Sequence, residues 1–159
     1  MGNRVGKVAV GKAVPPFTLP ATSGESWSLA DAAGSKLVVY FYPKDMTSGC
    51  TLESQQFRDL HAAFRRAGVA IVGVSRDSVA SHQKFREKER LPFELLADED
   101  ERVCDLFDVI REKSLYGRKY MGIERSTFLI DTKGVLRREW RKVKVQGHAE
   151  EVLEAAKSL

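Results

Sequence analysis

Apolar and polar positions alternate along the chain between strand-like and helix-like spacing. The run KLVVYFYP, Lys36 to Pro43, is continuously β-branched and aromatic, the pattern of a central strand covered on both faces. VAIVGVSRD, Val69 to Asp77, is a second such strand. Between them, from Thr51 to Arg66, apolar residues at Leu52, Phe57, Leu60 and Phe64 mark one side of a helix, closed by Gly68. A polar helix is predicted from about Ser78 to Arg90. LPFELLAD comes next, and then a short helix with Val103, Leu106, Phe107 and Ile110 on one stripe. RSTFLIDTKGVLRREWRKV, Arg125 to Val143, reads as a hairpin turning at Thr132, Lys133 and Gly134, and a helix from about Ala149 to Ser158 ends the chain. Ahead of all this, Pro15 and Pro16 close an N-terminal arm. Phe17 to Gly34 then reads as two short strands about a Thr-Ser-Gly turn, with Asp31 as a helix cap and Gly34 as a stop.

Strand–helix–strand units followed by a hairpin and a final helix imply an α/β fold, a central mixed β-sheet flanked by helices. That is also the thioredoxin order. Sheets of this kind keep their sites where a central strand ends and a helix begins, which draws the eye to Asp45–Cys50, DMTSGC.

Length and charge narrow the function classes. A chain of 159 residues with 43% apolar content builds one ordinary core, so residues 1–159 are expected to form a single domain. No stretch reaches the roughly 18 consecutive apolar residues of a membrane span. The opening MGNRVGKVAV lacks a secretory apolar region, so a cytoplasmic location is expected. Gly2 does not make an acylation site, because Gly6 stands where that pattern needs Ser or Thr. The formal charge of +4 comes from 26 basic against 22 acidic residues, mixed along most of the chain. Basic charge concentrates only in RREWRKVKV, Arg137 to Val145, where alternation fits a half-exposed strand better than a nucleic-acid stripe. His61, His82 and His148 are scattered, and each is expected at a surface or helix flank. Two cysteines cannot make a disulfide scaffold, and no Cys/His spacing near them suits structural zinc.

Cys50 is the residue with chemistry to offer. At the start of a helix, unpaired backbone N–H groups and the helix dipole favour an anion, and cysteines so placed ionise at roughly pH 3.5 to 7.5 instead of about 8.5. Gly49, Thr47 and Thr51 do not make an apolar pocket for an inert thiol. A dithiol exchanger needs Cys-x-x-Cys, and this chain has Thr47 in the first place. No histidine is placed to serve a Cys-His hydrolase. A single thiolate backed by a hydroxyl remains, suited to attack on a small polar electrophile such as a peroxide O–O bond.

The stretch FYPKDMTSGCTLES resembles the active-site signature of the peroxiredoxins, Pro-x-x-x-Thr-x-x-Cys, met by Pro43, Thr47 and Cys50. FYPKD with GCTLE resembles in particular the bacterioferritin comigratory, or PrxQ, subfamily. The likeness runs on through PPFTLP, GVSRDS, GIERSTFLID and WRKVKV, nearly the whole chain. It implies a thiol-dependent peroxidase for hydrogen peroxide and organic hydroperoxides, without metal or organic cofactor. In that reading Cys50 is the peroxidatic nucleophile, Thr47 orients the peroxide, Pro43 shields the thiolate, and Arg125 of ERSTF holds the charge. The sulfenic acid formed on Cys50 would be recycled by thioredoxin or another thiol. Relatives are often monomeric, and a monomer is expected. Glu53 matches an acidic residue usual in the subfamily, but a first-turn carboxylate is equally explained by the helix dipole, so it is not counted in the site.

The resemblance fails at the second cysteine. Relatives that resolve the sulfenic acid within the chain carry a thiol where this sequence has Gln55 or, on the following helix, Arg86. The remaining thiol, Cys104, falls on the flank of its helical stripe. It reads as a small packing residue, with a resolving role for it as the minority alternative. Two other functions compete: a thiol–disulfide oxidoreductase of the same fold, and a basic nucleic-acid module resting on RREWRKVKV alone.

Overall fold

A computed structural model describes residues 7–159, so the reading of Gly2 and Gly6 lies outside the described residues. Two short antiparallel strands, β1 (Thr18–Pro20) and β2 (Ser26–Ser28), flank the expected turn, in which Gly24 has φ +90°. A short 3-10 turn, Leu29–Ala32, comes after β2, and Asp31 is not its cap. Ser28 is, and the Asp31 carboxylate, inside the turn, accepts from the Ser28 N–H at 2.8 Å.

Strand β3 (Lys36–Phe41) leads into helices α1 (Ser48–Asp59) and α2 (His61–Arg66), then strand β4 (Val69–Ser75). One helix was expected over Thr51–Arg66, and the difference has a physical cause. The helix starts a turn earlier, and its buried positions are Cys50, Glu53, Ser54 and Phe57, at spacings of three and four. Two of these are polar, so the true buried face is invisible to a search for apolar residues. Leu52 lies off that face and is exposed. Helix α3 (Val79–Glu89) is capped by Ser78, whose Oγ accepts from the Ser81 N–H at 3.1 Å, and β5 (Glu94–Ala97) lies beyond it.

Helix α4 (Arg102–Leu106) is shorter than its predicted stripe. Ile110, placed on that stripe from sequence, instead begins a two-stranded ribbon, β6 (Ile110–Leu115) and β7 (Arg118–Ile123), which turns at Tyr116 and Gly117 with φ of 50° and 78°. The ribbon is largely solvated and charged on both faces, so it carries no alternation by which to recognise it. The predicted hairpin comes next as β8 (Ser126–Ile130) and β9 (Leu136–Trp140), its turn held by Asp131 Oδ1 accepting from the N–H groups of Lys133 and Val135. Helix α5 (His148–Lys157) completes the described chain.

The central sheet has the order β5-β4-β3-β8-β9, with β3, β4 and β5 parallel and β8 and β9 antiparallel to their neighbours. Strand β3 is central, and its alternation divides the interior in two. Leu37, Val39 and Phe41 pack with Phe17, Phe107 and α4, while Val38, Tyr40 and Tyr42 pack with Phe57, Phe64, Phe85 and α5. In the basic stretch, Arg137, Arg138 and Arg141 each meet a carboxylate, on Asp131, Glu151 and Glu139, at 3.3, 3.3 and 3.0 Å.

Gly73, paired with Tyr40, has the tightest surroundings of the described glycines. A Cβ there would stand 2.8 Å from Tyr40 Cζ and 2.9 Å from Leu95 Cδ2. Gly73→Ala is therefore expected to cost about 1–3 kcal/mol, measurable as a lower midpoint of thermal unfolding.

Candidate active site

The C-terminal end of β3 and the N-terminus of α1 make the site. The chain leaves the sheet at Tyr42, passes half-buried Pro43, and enters α1 at Thr47, an extended N-cap residue whose carbonyl accepts from the Thr51 N–H at 2.9 Å. Cys50 is the third residue of the helix and is 1% exposed. The first N–H groups of a helix lack intrahelical partners and favour negative charge nearby.

Antiparallel pairing delivers the cation. Ser126 on β8 pairs with Phe41, the last residue of β3, so the residue before it, Arg125, stands at the same edge as the helix mouth. Its Nη2 donates to Cys50 Sγ at 3.4 Å and its Nη1 to Glu53 Oε1 at 2.7 Å. Gly49 makes room for this. A Cβ at that position would lie 3.1 Å from Arg125 Nη2.

Glu53 is fully enclosed, and its second carboxylate oxygen has no hydrogen-bond partner among the described residues. Burial pushes its carboxyl up to about 7, with Arg125 pulling the other way. Half-buried Lys113 on β6 faces the same mouth. Burial lowers its pKa, Arg125 and Arg76 push the same way, and the charge of Cys50 opposes them. Tyr40 donates or accepts at Ser54 Oγ, 2.8 Å away, and burial pushes its phenol well above the ordinary range, so it stays neutral. Thr47 Oγ1 donates to the Lys44 carbonyl at 2.7 Å, which leaves the hydroxyl oxygen with lone pairs to accept a further hydrogen bond. The arrangement is a buried sulfur at a helix N-terminus beside a guanidinium, with an open hydroxyl at the N-cap.

Comparison with known proteins agrees. The AhpC/TSA family model matches residues 10–139. The chain belongs to the AhpC/TSA family. It is 51% identical over 146 residues to a putative peroxiredoxin bcp of Coxiella burnetii, covering 92% of this chain and 97% of that protein. With Bacillus subtilis peroxiredoxin Bcp it shares 48% over 152 residues, 96% of this chain and 97% of the relative. A solved structure of Xanthomonas campestris peroxiredoxin Q is similar at a TM-score of 0.85 and 50% identity, over 89% of this chain and 90% of its own. Structures of the Xanthomonas campestris bacterioferritin comigratory protein, 49% identical over 89% of this chain and 90% of their own with a TM-score of 0.85, concern alkyl peroxide reduction and trapped intermediate and ligand complexes. The chain is a peroxiredoxin of this bacterioferritin comigratory, or Q, type, a thiol-dependent peroxidase with a thioredoxin-like fold.

Of the residues this peroxiredoxin was predicted to use, Cys50, Thr47, Arg125 and Pro43 all lie at the one sheet edge. Cys104 does not. It packs with the opposite half of the interior, across the sheet from Cys50. Its thiol is pushed far above its ordinary range by burial and by the Asp98 carboxylate, which also accepts from the Cys104 N–H at 2.6 Å. Two histidine expectations are corrected: His82 and His148 are buried. His148 Nε2 is hydrogen-bonded to Thr127 Oγ1 at 2.8 Å, and burial lowers its pKa to about 4. Glu53, left out from sequence, and Gly49, noted there only as a residue flanking Cys50, both shape the site. The signal for Glu53 was its spacing from Cys50, one turn along the same face.

The raised Glu53 pKa fixes the sign of a pH effect. The folded protein holds this proton to about 7 and the unfolded chain only to 4.5, so the contribution is fully present below 4.5 and lost as pH rises through about 7. The loss is on the order of 3 kcal/mol by pH 8. His148 slopes the opposite way between about 4 and 6.5, so the comparison must isolate Glu53. Denaturant unfolding of wild type and Glu53→Gln from pH 5 to 8 is expected to show wild-type stability falling relative to the variant as pH rises.

Proposed function

We propose that Cys50, as the thiolate, attacks the terminal oxygen of a hydroperoxide. The S–O bond forms as the O–O bond breaks, and the departing alkoxide or hydroxide takes a proton to leave as alcohol or water. Cys50 is oxidised to the sulfenic acid. Arg125 supplies charge to the sulfur and to the oxygens as the bond breaks, Thr47 aligns the peroxide, and Pro43 excludes water from the loop. The contact that carries this reading is Arg125 Nη2 on Cys50 Sγ at 3.4 Å, at a helix N-terminus.

The cycle we propose uses one cysteine. Cys104 lies across the sheet, and Gln55 and Arg86 stand at the places where relatives carry a resolving thiol. Both are engaged: Gln55 donates to Glu89 Oε1 at 2.8 Å, and Arg86 donates to the Phe93 carbonyl at 3.0 Å. Thioredoxin or a small thiol then attacks the sulfenic sulfur, releasing water and leaving a mixed disulfide that a second thiol reduces. The substrates are hydrogen peroxide and organic hydroperoxides, and the enzyme works as a monomer in the cytoplasm, one domain without nucleic-acid, metal or organic partners.

One equivalent of hydrogen peroxide added to reduced protein tests the cycle by intact mass. Wild type and Cys104→Ser are both expected to gain one oxygen, captured on Cys50 by a sulfenic-acid trap. Loss of two hydrogens in wild type alone would make Cys104 the resolving thiol. Thr47→Val, which removes the hydroxyl, is expected to slow the reaction with peroxide by about a hundredfold, read by stopped flow under single turnover.

A further inference from the structure

Beside the thiol site the fold buries a second polar cluster, which the reaction above does not use. It lies where the loop carrying Thr47 meets α3. Asp45 and His82 are 4% and 0% exposed. The Asp45 carboxylate accepts from Tyr42 Oη at 2.6 Å and Ser81 Oγ at 2.8 Å, and His82 Nδ1 stands 2.7 Å from Asp45 Oδ2. On the far side of the ring, His82 Nε2 is 2.9 Å from the carbonyl oxygen of Leu96, on β5.

These partners decide where the protons are. A carbonyl only accepts, so Nε2 carries a hydrogen. Nδ1 faces a carboxylate that also accepts from two hydroxyls, and the 2.7 Å contact holds one proton between ring and carboxyl. Asp45, Asp77 and His82 present ligand atoms within 4.8 Å of one another. With Nε2 bonded to the Leu96 carbonyl and Nδ1 to Asp45, the ring keeps no free lone pair for a metal, so the cluster is a hydrogen-bonded pair and not a cation site.

We propose that the buried pairing of His82 with Asp45 positions Thr47 and the first turn of α1 for reaction with peroxide. The chain between the pair and the site is short and tightly determined. Asp45 is held through its side chain by β3 and α3, and its N–H donates to Asp77 Oδ2 at 2.9 Å. Met46 then takes φ +68°, a left-handed backbone that a non-glycine residue keeps only when its surroundings impose it. Thr47 comes directly after, closing the turn through Oγ1 on the Lys44 carbonyl. Releasing Asp45 lets Met46 relax, and Thr47 moves with it. A buried polar pair of this kind adds little net stability, yet the loss of either partner leaves the other's buried polar atoms unpaired.

The test separates positioning from thiol ionisation. Single-turnover rates of Cys50 with hydrogen peroxide and with iodoacetamide are measured for wild type, Asp45→Asn, His82→Gln and the double variant. Iodoacetamide needs the thiolate but no aligned oxygen. Each single variant is expected to lose about tenfold to a hundredfold with peroxide and nothing with iodoacetamide, and the double variant to lose no more than the worse single one. Peroxide rates that persist, or that fall together with iodoacetamide rates, overturn the positioning role.

Discussion

The site depends on one guanidinium shared between two acceptors. Arg125 divides its donors between Cys50 and Glu53, and neither acceptor has another cation at that distance among the described ion pairs. The sharing constrains the surroundings. It requires β8 to run antiparallel to β3, so that its first residue ends level with the last of β3. It requires a glycine at position 49, because a side chain there would meet the guanidinium at 3.1 Å. It also requires the helix to bury a carboxyl with one oxygen unpartnered, a group whose desolvation raises its pKa to about 7. A fold selected for stability alone would not keep that arrangement.

The two cysteines make a controlled comparison. Each is the third residue of its helix, Cys50 of α1 and Cys104 of α4, and each is almost wholly buried. Helix position is thus the same, and the neighbours differ in sign. At α1 the nearby side chain is Arg125, and the sulfur accepts its hydrogen bond. At α4 the Asp98 carboxylate has already claimed the free N–H groups of Val103 and Cys104, at 3.2 and 2.6 Å, and its charge holds the adjacent thiol protonated. At α4, then, the helix N-terminus has no free amide to offer the thiol, and an anion stands beside it.

This explains which parts could be read from sequence. Strand β3 was legible because both of its faces are apolar, and the hairpin because Asp131 and Gly134 hold a turn whose chemistry is local. Cys50, Thr47 and Pro43 lie in one short segment whose spacing is itself the signal. Arg125, 75 residues away from Cys50, came only through resemblance, since nothing in ERSTF separates a site arginine from a surface one. Glu53 and Ser54 were hidden because they are polar residues on a buried face, and α1 was consequently misplaced by a turn. His82 was misjudged for the same reason: its partners Asp45 and Leu96 come from distant segments, and burial of a polar ring depends on partners that periodicity does not register.

The braces between helices say what can move during turnover. Cys50 is buried, so a donor thiol reaches its sulfur only if the chain near it opens. The C-terminal half of α1 is tied to α3, with Gln55 donating to Glu89 and Arg58 donating to the Glu89 carbonyl at 2.9 Å. Helix α3 is tied in turn to β5 by Arg86 and His82. The first turn of α1 carries fewer ties. Met46, Thr47 and Ser48 are exposed, and beyond the brace at Asp45 the turn meets the sheet edge through Arg125. In the cycle proposed above, oxidation to a neutral sulfenic acid removes the thiolate that Arg125 would pair with, and that link would weaken at the moment a donor must enter. Opening confined to one turn would then suit an external thiol, with Cys104 lying across the sheet.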